Sequence, residues 1–139
     1  MIELRENVID VETYLKLREQ VGWRRLSDSQ ANAAVSNALY TVCAYEDDRP
    51  VGMGRIVGDG AVICYVQDLV VIPDMQGKQI GSMILEKLKD YVENITEPGT
   101  RMMMCLMCAK GRERFYLKHD FTARPTDDLG PGMIRYIDK

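Results

Sequence analysis

Seven residues, Gln76-Gly77-Lys78-Gln79-Ile80-Gly81-Ser82, carry the clearest chemical signal in this chain. They follow an apolar, β-branched run, Leu69-Val70-Val71-Ile72, which is too short for a helix and reads as a buried strand. Pro73 ends that strand, having no N–H to give to a ladder. An amphipathic helix pattern begins directly after the seven. A strand, a glycine-bearing turn and a helix start leave several backbone N–H groups without partners, and the helix dipole adds about half a positive charge there. Such a turn binds anions, so a phosphate-bearing ligand is expected on it. The turn lacks the G-K-S/T of a P-loop, and the dinucleotide fingerprint G-x-G-x-x-G is absent.

Other reactive side chains are less pointed. Cys105-Leu106-Met107-Cys108 fits C-x-x-C, but no second pair accompanies it and His119 is the only histidine. All four cysteines, Cys43, Cys64, Cys105 and Cys108, fall in apolar strand-like runs. Residues three apart in a strand face opposite sides, so the reading is four buried, reduced thiols and no metal. His119 follows Lys118 near a helix end, where solvated histidines are common and the dipole favours the cation, so it is not expected to be a base. The run Met102 to Met104 reads as core packing.

The elements that must position these residues follow from patterning. A short edge strand spans Ile2 to Val8, and Asp10 caps a helix to Val21. Gly22 ends it, and Ser27 or Asp28 caps a second helix to about Leu39. Tyr40–Tyr45 and Val51–Val57 form a hairpin around 46–50, with Gly52 and Gly54 thinning one face. Ala61 to Ile72 is a long central strand, and the helix from Ile80 carries Met83, Ile84, Leu88, Tyr91, Val92 and Ile95 on one stripe. Strand Arg101–Cys108, helix Lys110–His119 and late strands Phe121–Arg124 and Met133–Ile137 complete the order β-α-α-β-β-β-α-β-α-β-β. This is an α/β fold with α/β/α layers about a mixed, mostly antiparallel sheet, in one domain over residues 1–139. A net charge of −3 argues against a nucleic-acid partner. No apolar run reaches a membrane span, and MIELRENVID lacks a signal peptide's apolar segment, so the expected address is cytoplasmic.

That order, with QGKQIGS after a buried strand and Phe115-Tyr116 on the next helix, resembles the GNAT family of acetyl-CoA-dependent N-acetyltransferases over essentially the whole chain. The family's pyrophosphate pattern is R/Q-x-x-G-x-G/A. Gln76 and Gly81 fit its ends, whereas Gln79 stands at the middle glycine. Whether the backbone at 79 needs a φ that only glycine reaches cheaply is the point this departure raises. Gln67-Asp68-Leu69-Val70-Val71 is similar to the family's fourth strand, whose backbone bonds the pantetheine arm. Phe115 to Phe121 is similar to F-Y-x-x-x-G-F, with Asp120 in place of the glycine.

The resemblance implies acetyl-CoA as co-substrate, held by Leu69, Val70, Val71, Gln76, Gly77, Lys78, Gln79, Ile80, Gly81 and Ser82. It makes Tyr116 the general acid, a phenol whose usual pKa near 10 matches a departing thiol; the other reading of Tyr116 is a buried core tyrosine. Asp68 is the carboxylate candidate for taking the amine proton through water, or else a structural carboxylate. Gln67 lines the acceptor pocket, and Trp23, between the first two helices, lies where relatives place part of that pocket. No cysteine, serine or lysine stands in a nucleophile setting, so direct attack by a primary amine in a ternary complex is expected. The acceptor is expected to be a small molecule. A non-catalytic acyl-CoA-binding module and a protein N-terminal or lysine acetyltransferase are the alternatives. The late strands suggest a homodimer by edge pairing or strand exchange.

Overall fold

Local chemistry sets the element boundaries. In the computed structural model, which describes residues 1–139, Asp10 caps helix α1 (Val11–Gln20) by accepting from the Thr13 N–H at 2.7 Å. Ser27 and Gln30 form a reciprocal capping box at the start of α2 (Asp28–Ser36). Strands β1 (Ile2–Glu6), β2 (Tyr40–Glu46), β3 (Arg49–Gly58), β4 (Ile63–Val71) and β5 (Met103–Cys105) make one sheet in the order β1-β2-β3-β4-β5. Every pairing is antiparallel except β4 with β5. The β2–β3 turn is tighter than expected: Glu46 pairs with Arg49, and only Asp47 and Asp48 turn, both at positive φ. At the next corner the Asp59 carboxylate accepts from the N–H groups of Ala61, Val62 and Ile63, which holds its pKa below the usual range.

Helix α3 (Ile80–Ile95) buries Ile80, Ile84, Leu85, Leu88 and Val92 against β2, β3 and β4. Gly52 and Gly54 let it approach. A Cβ on Gly54 would stand 2.9 Å from methyls of both Ile84 and Leu88, and one on Gly52 would stand 2.8 Å from the Val70 carbonyl oxygen. Helices α1 and α2 touch each other, and α1 reaches β3 and β4. The layered α/β design is therefore as the patterning predicts.

The chain divides into two compact units, Met1–Leu106 and Met107–Lys139. The second holds α4 (Glu113–Lys118) and otherwise irregular backbone. Neither of the two expected late strands forms. Phe121–Arg124 and Met133–Ile137 are not strands, and Met133, Ile134, Tyr136 and Ile137 are exposed. A β-rich composition makes a strand only where a neighbour supplies a ladder, and none pairs with these segments within the chain. For the same reason the expected strand Arg101–Cys108 shrinks to Met103–Cys105, the three residues that face Ile63, Cys64 and Tyr65. Cys105 is consequently half-buried and Cys108 exposed, whereas Cys43 and Cys64 are buried as expected; all four are free thiols.

Candidate active site

Between Val71 and Ile80 the chain makes the expected strand–turn–helix passage. A short 3-10 turn (Pro73–Met75) begins at Pro73, and the Gln76 carboxamide Nε2 donates back to the Val71 carbonyl at 3.0 Å, tying the turn to the end of β4. Gly77 has φ +78. Gln79, the N-cap residue of α3, sits at φ 68 and ψ 8, in the left-handed region, and its side chain caps nothing. That answers the question raised by the motif: this position does need glycine's conformation, and glutamine adopts it at a cost of roughly 1–2 kcal/mol. No acidic residue occupies the first turn of α3, so the positive end of a 16-residue helix is left unneutralised by its own side chains. Lys78, exposed, adds a cation beside it.

The strand leading to this turn has one open edge. β4 pairs with β3 along nearly its whole length, but with β5 only over Ile63–Tyr65. From Val66 to Val71 the side that faces β5 carries no ladder.

A β-bulge interrupts β4 at Asp68. Arg55 faces Gln67 and Met53 faces Val70, so Gly54 alone opposes both Asp68 and Leu69. Asp68 takes φ 57 and turns its carboxylate into the α1 side of the sheet, where the side chain is only 1% exposed. Its Oδ2 accepts from the Tyr14 hydroxyl at 2.5 Å and from Arg55 Nε at 2.7 Å, and its Oδ1 from Arg18 Nη1 at 2.7 Å. Gln67 Nε2 lies 3.5 Å from Oδ1, at the limit of a hydrogen bond. Arg55 also donates to the Ala34 carbonyl of α2, and Arg18 to the Arg24 carbonyl after α1. Burial, then the bond to Asp68, pushes the Tyr14 phenol above its ordinary pKa.

Sequence reasoning named Asp68 and Gln67 but not Tyr14, Arg18 or Arg55. A signal for Arg55 was present: a charged residue inside the apolar run Val51–Val57 must find a buried partner. Tyr14 and Arg18 are one helical turn apart on α1, which lets both reach a single acceptor.

Trp23, 40% exposed, places its ring 5.2 Å from the Arg18 guanidinium carbon. It lines a hollow of about 120 Å³ with Leu15, Arg18, Glu19, Arg24, Arg25 and Leu26. In the second unit Tyr116 meets Phe115 edge-on at 5.1 Å and Phe121 at 5.9 Å, and His119 lies 5.0 Å from Phe115. The N–H of Phe121 bonds the Tyr116 carbonyl and that of Asp120 the Leu117 carbonyl, which is a Schellman ending to α4. Asp120 supplies its left-handed residue at φ 72, so the second departure from the glycine pattern also keeps glycine's backbone. Burial pushes all four cysteine thiols up, away from nucleophilic character. No group of three or more metal-ligating side chains occurs, and no helix is long and apolar enough to cross a membrane.

Comparison with known proteins agrees with this geometry. A family model described as an acetyltransferase (GNAT) domain matches residues 37–123, well over half the chain. A protein of unknown function from meticillin-resistant Staphylococcus aureus, described as a probable acetyltransferase, superposes with a TM-score of 0.84 at 31% identity, covering 98% of this chain and 100% of that one. A GNAT family acetyltransferase from Streptococcus pneumoniae TIGR4 gives 0.83 at 27% identity, with 100% of both chains covered. A histone acetyltransferase of Glycine max, TAP1, is 30% identical over 91 residues, 58% of this chain and 39% of that protein. The chain thus spans less than half the length of that curated relative. The open β4 edge, the left-handed turn before α3 and these matches lead to one conclusion: the chain belongs to the GNAT acetyltransferase family.

Proposed function

We propose that this protein transfers the acetyl group of acetyl-CoA to the primary amine of a small molecule, by direct attack in a ternary complex in the cytoplasm. The observation that carries the proposal is the adjacency of two complementary surfaces. The unladdered edge at Leu69, Val70 and Val71 suits an extended pantetheine arm, and it runs straight into the Gln76–Ser82 turn, whose N–H groups and helix pole suit a pyrophosphate. In support, a structure of the same fold from Clostridium acetobutylicum was determined with acetyl-CoA.

Three needs define the chemistry. The amine must lose a proton, the oxyanion on the thioester carbon needs a donor, and the departing thiolate needs a proton. A backbone N–H beside the bulge serves as the oxyanion donor, and Tyr116 is assigned the last task on the strength of its motif. Asp68 is nominated by the sequence as proton acceptor, but both its oxygens already accept from Tyr14, Arg18 and Arg55. In this proposal it acts through that cluster, fixing the bulge and the Gln67 and Trp23 side of the acceptor site, while the amine proton passes to water. The raised pKa of the cysteine thiols supports direct attack over an acyl-cysteine intermediate, and no metal is invoked.

The test is CoA release from acetyl-CoA over a panel of amines. Tyr116→Phe is expected to lower kcat by about a hundredfold with little change in acetyl-CoA affinity. Acetyl-CoA binding with no turnover on any amine would sink the enzyme reading. The likeness to a histone acetyltransferase favours a second acceptor class, protein lysines; mass spectrometry of proteins incubated with enzyme and acetyl-CoA tests it. The proposal also pairs two copies through Met133–Ile137, whose large side chains are 63–87% exposed. Sedimentation of the chain with Ile134 and Tyr136 changed to serine should then show monomer.

A further inference from the structure

The α1 side of the bulge holds more positive charge than its acceptors neutralise. Arg18 and Arg55 share the single carboxylate of Asp68, which leaves that cluster with a net positive charge. Arg18 Nε is a buried donor with no partner, an expensive state for a polar group away from water. The same arginine forms a wall of the hollow after α1, where it and Arg25 stand against one lining acid, Glu19. The local field is thus cationic on a chain whose net charge is −3. Leu15, Leu26 and Trp23 give the hollow apolar sides.

We propose that this hollow receives the carboxylate of the acceptor, so that the amine substrate is an amino acid rather than a simple amine or polyamine. The inference rests on the acetyl-transfer reading for its name of substrate, but its physical content is carboxylate binding. Arg18 joins the two places, since one guanidinium nitrogen holds Asp68 at the bulge while the other reaches the Arg24 carbonyl at the hollow. A carboxylate in the hollow would meet Arg25 and the unmatched side of Arg18 in charge-assisted hydrogen bonds, and the Trp23 face would cover its carbon chain. Simple cations such as cadaverine would be repelled from the same place.

Trp23 is the only tryptophan, so its fluorescence reads the hollow directly, without turnover. The experiment titrates the full chain with lysine and cadaverine, histidine and histamine, and phenylalanine and phenethylamine, then measures KM for the same pairs with acetyl-CoA. The carboxylate member of at least one pair is expected to shift Trp23 emission and to have a KM about tenfold lower than its decarboxylated partner. In Arg25→Gln that gap should narrow to about threefold. Equal titration and equal KM within every pair would overturn the inference, as would a carboxylate preference unchanged in Arg25→Gln. Emission changes specific to the carboxylates, with no acetyl transfer to anything, would uphold the binding inference and remove the enzymatic reading instead.

Discussion

Asp68 and Gln79 hold the same rare backbone in opposite company. Both are non-glycine residues in the left-handed region, at φ 57 and φ 68, and they flank the strand end on which the proposed cofactor lies. Asp68 is buried, and three donors fix its carboxylate, so its conformation is over-determined by side-chain bonds. Gln79 is exposed and makes no capping bond. Its strain is held only by the strand before it and the helix after it. The difference teaches that a left-handed residue can be kept either by what its side chain binds or by what the chain on both sides demands.

The largest break in this comparison is expected at Asp68→Asn. Removing the charge strands two guanidiniums that are each only 13% exposed, and urea unfolding should show a loss of about 3–5 kcal/mol at unchanged m. Next is Tyr14→Phe, which removes one bond to Asp68 and should cost about 1–2 kcal/mol at neutral pH. It also has a pH signature. The Tyr14 pKa is raised in the folded state, so its contribution is complete below the unfolded value near 10 and is lost as pH rises through the folded one. Urea midpoints followed from pH 8 to 12 should therefore fall less steeply for Tyr14→Phe than for the parent.

Gln79→Gly should go the other way. Relief of the left-handed strain, less the extra entropy of glycine in the unfolded chain, predicts a gain of about 0.5 kcal/mol by the same urea assay. A loss there would mean that the glutamine side chain stabilises the turn. The smallest effect is expected from Asp120→Gly, within a few tenths of a kcal/mol, because aspartate tolerates this region better than glutamine does.

Features written locally in the sequence were the legible ones. Asp10 and Ser27 announce their helices by capping chemistry, the β-branched run to Ile72 announces a buried strand, and the stripe from Ile80 announces α3. The left-handed need at positions 79 and 120 was readable only as a departure from a glycine pattern. What the sequence could not supply was pairing at a distance. Tyr14, Arg18 and Arg55 come together only because α1 lies over a bulge whose location depends on the β3–β4 register. The late strands failed for a related reason, since Met133–Ile137 has strand composition but no ladder within its own chain.

The unladdered edge of β4 has a thermodynamic consequence. A ligand that adds its own amides to Leu69–Val71 would complete a sheet that the polypeptide leaves unfinished, and it would bind only the folded chain. At a hundred times its Kd such a ligand adds about 2.7 kcal/mol to stability, a sizeable share of what a domain of this size possesses. The melting temperature should then climb with CoA concentration. If the proposed acyl-CoA site is right, the ligand-free chain keeps that strand edge bare and stands nearer to unfolding.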